Sequence, residues 1–169
     1  MKYFIASTVL SAATILSATS VFAQTATDNM AVSMTVAAEC TIAAEALPFG
    51  TVGIVDADID VDTSVTVQCT AGSDYVISFG DGLGATATTA ARELTNTTTA
   101  DFATYSLYQD DLRTVVWGSE AGVDTPAASV ATGVDEIIPV YGRVDGGQNV
   151  PTGTYEDTVV ATITYGTSL

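Results

Sequence analysis

The chain has 169 residues, 47% of them hydrophobic, and its formal net charge of −16 comes from 20 acidic residues against only 4 basic ones. So strong a negative charge repels phosphate backbones, which argues against a nucleic-acid partner. The chain also has no histidine, and serine or cysteine nucleophiles ordinarily need a histidine base. We therefore predict that the protein is not an enzyme, has no catalytic residues and uses no cofactor.

The first 23 residues have the pattern of a secretory signal peptide. Lys2 precedes an uncharged apolar run from Tyr3 to Val21, and the small residues around Ala23 predict cleavage before Gln24. Removing residues 1–23 from the 169 leaves 146, enough for one domain with a hydrophobic core. Three arginines then face 20 acidic residues, for a mature net charge of −17.

A two-residue period begins in the segment that precedes the first cysteine. Its apolar residues lie at even positions and its polar residues mostly at odd ones. The apolar set is Met30, Val32, Met34, Val36 and Ala38, and the polar set includes Asn29, Ser33, Thr35 and Glu39. Alternation of this kind is typical of a strand with one buried face.

The run from Val61 to Cys69 repeats the alternation with the opposite parity. Cys69 lies on the apolar phase of this run, and Cys40 lies on the apolar phase of the earlier one. In an exported chain two such cysteines predict one disulfide, joining inward-facing strand positions. The bond closes a loop of about 30 residues, which stabilises the fold by about 3–4 kcal/mol in the chain-entropy model.

Several short runs with the same period follow along the chain. They are Tyr75–Phe79, a pair formed by Phe102–Tyr108 and Thr114–Trp117, Ile137–Val144, and a last strand from Tyr155 to Tyr165. Pro139 within its run favours an edge strand or a bulge, because proline cannot donate a ladder hydrogen bond. Short alternating strands separated by turns, with no amphipathic helix, predict an all-β sandwich.

The last strand is apolar and needs a partner, since an unpaired apolar edge promotes aggregation. The alternating residues before Cys40 form a leader that is able to supply one. The pattern leaves open whether this leader pairs within its own chain or with a neighbouring subunit.

An ordered series of short motifs runs through nearly the whole mature chain. It includes Leu47-Pro48-Phe49-Gly50, Val65-x-Val67-x-Cys69-Thr70-x-Gly72, Arg92-x-Leu94, Trp117-Gly118, Pro139-Val140-Tyr141-Gly142-Arg143 and Gly153-x-Tyr155-x-Asp157-x-Val159. In these motifs the chain resembles the spore coat protein U-like subunits of archaic, Csu-type chaperone–usher pili.

The resemblance implies an incomplete immunoglobulin-like β-sandwich that lacks its last strand and is completed by donor-strand complementation. It divides the chain into a signal peptide at 1–23, a donor-strand extension at 24–35 and a pilin domain at 36–169. The implied donor residues are Met30, Val32 and Met34. The implied acceptor groove is lined by Val159, Ala161, Ile163 and Tyr165.

The implied partners are neighbouring subunits, a periplasmic chaperone and an outer-membrane usher. The implied product is a cell-surface fibre that serves adhesion and biofilm formation. A mature chain of 146 of the 169 residues leaves no room for the extra receptor-binding domain of a tip adhesin, which favours a shaft or minor subunit.

Two alternatives belong to other classes of protein. One is a secreted monomeric module that binds carbohydrate or Ca²⁺, and the other is a structural coat protein of a spore or cyst. The cation site of the first would use the acidic run Asp56, Asp58, Asp60 and Asp62. An EF-hand starting at Asp56 fails, because Val61 and Val67 stand where it needs glycine and glutamate. A solvated acidic edge is the favoured interpretation of this run.

Two further groups of side chains raise the same question. Trp117 and Tyr108 would stack on sugars in a carbohydrate-binding module, although core packing is the favoured role. Asp110, Asp111, Glu120 and Asp124 include pairs that resemble a glycosidase acid pair only in composition.

Overall fold

A computed structural model describes residues 22–166. Residues up to Thr35 and residues from Val36 onward belong to separate units, and each unit is described by itself. The backbone from Phe22 to Glu39 has no regular secondary structure. The predicted signal peptide falls almost wholly in residues 1–21, outside the described part of the chain. Residues 22–166 contain no helix, and so none that is long and apolar enough to cross a membrane.

Between Cys40 and Gly166 the chain forms nine strands. They are β1 (Cys40–Ala44), β2 (Ile59–Cys69), β3 (Asp74–Phe79), β4 (Arg92–Asn96), β5 (Phe102–Tyr108), β6 (Ser129–Val130), β7 (Glu136–Val144), β8 (Tyr155–Glu156) and β9 (Ala161–Gly166). One sheet has the order β1-β2-β7-β5-β4-β8 and the other has the order β6-β3-β9. All the pairings are antiparallel. The all-β prediction is confirmed.

The core consists of the inward faces of these strands, with Trp117 at its centre. The predicted phase of β2 is correct, because Val65 and Val67 are each only 1% exposed. Trp117 is also 1% exposed. Its indole N–H donates to the Ile77 carbonyl at 2.9 Å, and its ring meets Phe79 edge to face at 4.9 Å. Trp117 is therefore a core residue with a satisfied polar atom, and it offers no sugar-stacking surface.

Cys40 and Cys69 form a disulfide bond, as predicted. They lie directly opposite each other in the ladder between β1 and β2. The bond fastens the first strand of the domain to its longest strand, so the position of β1 at the end of the sheet is held covalently.

The prediction that Pro139 marks an edge strand or a bulge is wrong for β7 as a whole, which lies inside its sheet between β2 and β5, but right at Pro139 itself, where β7 has no partner on the β5 side. Pro139 pairs with Ser64 of β2. The Ser64 carbonyl points away from β7, because it accepts a hydrogen bond from the Glu45 N–H on the other side of β2. The Ser64–Pro139 pair is therefore of the non-hydrogen-bonded kind. The missing N–H of Pro139 faces the β5 side, where pairing has already stopped at Tyr141.

The single last strand predicted from Tyr155 to Tyr165 is also wrong, because the structure divides it between the two sheets. β8 pairs with β4, whereas β9 pairs with β3 in the other sheet. Asp157 lies at the crossing between them. Its carboxylate accepts hydrogen bonds from the Tyr105 hydroxyl and the Leu83 N–H, each at 2.7 Å. These long-range bonds hold the backbone where it leaves the first sheet.

The pair of strands predicted on either side of Asp110-Asp111 is shorter than expected. The segment Thr114–Trp117 contributes a single bridge to β5, between Val116 and Tyr108. The Asp110 carboxylate explains why the chain turns here, since it accepts hydrogen bonds from the Val115 N–H at 2.8 Å and the Thr114 N–H at 3.0 Å. These bonds lower the pKa of Asp110, which keeps the group ionised as a turn cap.

Candidate acceptor groove

A groove opens where two end strands of different sheets lie side by side. β1 ends the six-stranded sheet and β9 ends the three-stranded sheet. The two strands approach within 8 Å between Cα atoms, yet no ladder joins them within residues 22–166. The other end strands, β6 and β8, have only two residues each. The long unpaired edges are therefore concentrated at this groove.

The two edges of the groove run in opposite directions. The disulfide joins the start of β1 to the end of β2, which lies just before β3. The first residue of β3 pairs with the last residue of β9. The start of β1 therefore lies at the same end of the groove as the end of β9. At the opposite end, Ala44 of β1 and Val159, just before β9, line the same cavity. Because neighbouring strands lie about 4.8 Å apart, a strand bonded to both edges would move them to about 9.6 Å apart. It would be antiparallel to one edge and parallel to the other.

A cavity of about 390 Å³ lies at one end of the groove, past Ala44 at the end of β1 and beside Val159, which precedes β9. Its hydrocarbon lining includes Val65, Leu94, Leu107 and Val140, from four different strands. It therefore reaches from the surface into the same apolar core that Trp117 occupies, and a side chain placed in it would be shielded from water.

The predicted acceptor residues lie together along one face of the last strand. Ala161, Ile163 and Tyr165 pair with Phe79, Ile77 and Tyr75 of β3, all three of which are buried. Val159, Ala161 and Ile163 are half-buried and pack against the core. Tyr165 is more open, at 41% exposed. The structure thus gathers the four residues on the inward-facing side of β9 and its approach, and places Val159 in the cavity wall.

Sequence reasoning missed the wall of the groove that follows β1. Leu47 and Phe49 line the cavity, and the Phe49 ring meets Tyr105 edge to face at 5.8 Å. A Cβ atom at Gly142 would lie 2.5 Å from Leu47 and 3.2 Å from Phe49, so glycine at this position of β7 makes room for both. The motif Leu47-Pro48-Phe49-Gly50 was visible in the sequence, but it contained no sign of which strands it would contact.

The polar rim of the groove is acidic. Asp157 and Glu45 both line the cavity. Asp157 accepts a hydrogen bond from the Tyr105 hydroxyl, with 2.7 Å between the two oxygens. Burial and this carboxylate together raise the pKa of Tyr105, so its hydroxyl stays protonated as a donor. The nearby Thr63 hydroxyl donates to the Ala46 carbonyl at 2.9 Å. The rim therefore combines two carboxylates with hydroxyls, of which those of Thr63 and Tyr105 already donate within the domain.

A buried arginine fixes the backbone behind the groove. Arg92 is 0% exposed, and it donates to the carbonyls of Phe79 (3.1 Å), Gly80 (2.8 Å), Thr89 (2.7 Å) and Trp117 (2.9 Å). Burial lowers the pKa of this guanidinium. Arg92 thus satisfies backbone carbonyls where β3 ends, which positions Phe79 in the cavity wall.

The other two arginines lie along the acidic run. Arg143 donates to both carboxylate oxygens of Asp60, at 2.7 and 2.8 Å, and also pairs with Asp58. Arg113 pairs with Asp60 and Asp62. Within residues 22–166 no group of three or more potential ligands is arranged to hold a metal ion. Two arginines therefore pair with three of the four carboxylates of the acidic run, at the start of β2 and just before it.

The predicted donor residues lie in the unit that precedes the domain. Met30, Val32 and Met34 are 87%, 86% and 87% exposed. They occupy alternate positions in a segment without regular secondary structure. Side chains so apolar and so exposed at a two-residue spacing have the pattern of a strand whose partner is absent.

The chain is similar to known proteins both in sequence and in fold. A family model described as Spore Coat Protein U domain matches residues 26–162. "Protein U" of Myxococcus xanthus is 42% identical over 129 residues, which cover 70% of this chain and 71% of that protein.

A solved structure shares the fold. It is a chain from the chaperone–tip adhesion subunit pre-assembly complex of the archaic chaperone–usher Csu pili of Acinetobacter baumannii, with a TM-score of 0.56 and 23% identity. The match covers 76% of this chain but only 40% of the solved one. This likeness confirms the predicted fold class, an all-β, incomplete immunoglobulin-like sandwich.

Proposed function

We propose that this chain, which belongs to the Spore Coat Protein U domain family, is a structural subunit that polymerises by donor-strand exchange. One observation supports the proposal above all others. The domain has two strand edges side by side, β1 and β9, with an apolar cavity at one end of the groove between them, and the same chain has a separate leader with an exposed alternating apolar face. We use "the leader" for residues 24–35.

The physical basis of the proposal is β-strand addition. An inserted strand gains main-chain hydrogen bonds from a free edge, and its alternate side chains fill pockets. Met30, Val32 and Met34 have the same two-residue spacing as Ala161 and Ile163 on the inward face of β9. A leader from a second copy would therefore direct its apolar face into the core while its polar face remains in water.

The proposal extends to partners and to the fate of the chain. Residues 1–23 direct export, the leader is the donor strand, and residues 36–169 form the acceptor domain. A periplasmic chaperone covers the groove until an outer-membrane usher exchanges it for the leader of the next subunit. The product is a non-enzymatic surface fibre for adhesion and biofilm formation, in which this chain is a shaft or minor subunit because a donor leader has no use at a tip.

Deletion of residues 24–35 tests the mechanism directly. We expect the exported variant to fold but to lose the SDS-resistant multimers that the wild type forms, because its neighbours then receive no donor strand. The multimers are measured by electrophoresis without boiling. Multimers that persist at the wild-type level would exclude donor-strand exchange through the leader.

A matched pair of variants separates the apolar face of the leader from its overall charge. Val32→Asp with Met34→Asp should abolish the multimers, because two carboxylates cannot be buried in an apolar cavity without partners. Ser33→Asp with Thr35→Asp adds the same charge on the opposite face and should leave most of the multimers intact. Equal loss in the two variants would point to charge repulsion between subunits instead of burial of the leader.

The description of the family favours a second candidate, a structural coat protein of a spore or cyst. Polymerisation through the leader is compatible with either product, so the location of the protein distinguishes the two. Immunogold labelling should show filaments on growing cells if the product is a pilus. Label confined to the shell of resting cells would favour the coat.

A further inference from the structure

The methionines of this chain are concentrated at one place. The chain has three: Met1 begins the predicted signal peptide, and Met30 and Met34 both lie on the apolar face of the leader. The two leader thioethers are each 87% exposed. Both cysteines are joined in the disulfide. Within residues 22–166, these two thioethers are therefore the only sulfurs that can take up oxygen while the disulfide stays intact.

The groove described above is suited to an unmodified thioether. Methionine is unbranched and adapts to irregular apolar cavities, and most of the cavity lining is hydrocarbon. The rim offers few free donors to a new acceptor atom. Asp157 and Glu45 are themselves acceptors, and the hydroxyls of Thr63 and Tyr105 already donate to the Ala46 carbonyl and to Asp157, which leaves the Ser64 hydroxyl. An oxygen atom added to a plug side chain would therefore be buried against a lining that is mostly hydrocarbon.

We propose that Met30 and Met34 are oxidation sites through which peroxide prevents the subunit from polymerising. The proposal rests on the donor role of the leader. In the reaction a methionine sulfur takes one oxygen atom from hydrogen peroxide. The O–O bond breaks, a sulfur–oxygen bond forms, water leaves, and the sulfur is oxidised by two electrons as the peroxide is reduced.

The sulfoxide is polar where the thioether was apolar, so the modified leader no longer fits the apolar cavity. Oxidation acts only before assembly, because the leader of an unassembled subunit is exposed and that of an assembled one is buried. An existing fibre is thus resistant to a dose of peroxide that stops new subunits from joining it.

The test begins with the mature wild-type subunit before assembly. One sample is treated with hydrogen peroxide, which is then removed, and the oxygen atoms added at Met30 and Met34 are counted by peptide mass spectrometry. We expect the treated sample to form SDS-resistant multimers at least about tenfold less than the untreated one. Methionine sulfoxide reductases should restore assembly.

Met30→Leu with Met34→Leu provides the comparison, because leucine is apolar and takes up no oxygen. The leucine variant should form the same amount of multimer with and without peroxide, however large that amount is. Treated wild type that assembles as well as untreated wild type would overturn the oxidation proposal and leave donor-strand exchange standing. Failure of the untreated wild type to assemble would instead count against donor-strand exchange.

A second measurement does not depend on the variant. In completed fibres, Met30 and Met34 should oxidise at least about tenfold more slowly than in unassembled subunits, because burial excludes the peroxide. Equal oxidation rates in the two states would overturn the proposal even if the leucine variant failed to assemble.

Discussion

The leader and β2 have the same sequence pattern and opposite structures. Both alternate apolar and polar residues, yet Val67 of β2 is 1% exposed whereas Val32 of the leader is 86% exposed. β2 lies between β1 and β7 and is paired on both sides, while the leader has no regular secondary structure. Alternation therefore indicates which face of a strand can be buried, and a partner strand decides whether that face is buried.

The largest expected effect comes from placing a charge on the apolar face of each segment. Val67→Asp should lower the free energy of unfolding by more than about 4 kcal/mol, because it buries a carboxylate without a partner. Val32→Asp should change the stability of the unassembled subunit by less than about 0.5 kcal/mol, since the site is exposed. Denaturation in urea measures both.

The two variants also separate stability from assembly. Val32→Asp should fold normally and still fail to polymerise, whereas Val67→Asp should fail at both. If Val32→Asp destabilised the isolated subunit as much as Val67→Asp did, the leader would be part of the folded core of its own chain and the comparison would fail.

A smaller effect should follow from cutting the covalent link between β2 and the edge of the groove. Cys40→Ala with Cys69→Ala removes a bond between residues 29 apart in sequence. The chain-entropy model gives a loss of about 3–4 kcal/mol for a loop of this length. Thermal and urea denaturation should show that loss, and the reduced wild type should match the double variant. A loss below about 1 kcal/mol would mean that the strand ladder alone holds β1 in place.

The smallest effect concerns the outer face of β2. The hydrogen bonds from Arg143, together with the charges of Arg113 and Arg143, hold the pKa of Asp60 below its ordinary value of 3.8. The stabilisation is therefore complete above that ordinary value and is lost as the pH falls through the lower pKa of the folded chain. Because the Asp60 side chain is 39% exposed, solvent screening limits the effect to about 1 kcal/mol at most.

Stability measured as a function of pH tests this sign. Asp60→Asn should be less stable than the wild type at neutral pH, and the difference should shrink as the solution is acidified below the ordinary pKa of aspartate. Asp56→Asn, on the same acidic run, controls for the loss of one negative charge. A difference that grew on acidification would contradict the assigned direction of the pKa shift.

The sequence by itself determined the local properties of the protein. The alternation of β2 and β3 identified their buried faces, because the pleat of a strand sends successive side chains to opposite sides whatever the strand pairs with. The disulfide could be predicted, because an exported chain with only two cysteines, both at apolar positions of alternating runs, has only one possible pairing. The motif series identified the family, and with it the fold class.

Only the tertiary structure decided which segments meet, because pairing depends on residues far apart in the chain. Asp157 divides the last alternating run by bonding to Tyr105, 52 residues away. An interior strand tolerates Pro139 because β5 stops short of it, so no hydrogen bond from its nitrogen is needed. The role of Arg92 depends on four carbonyls brought together by folding. The groove itself follows from the two sheets ending side by side at β1 and β9, an arrangement that a local period of two residues does not contain.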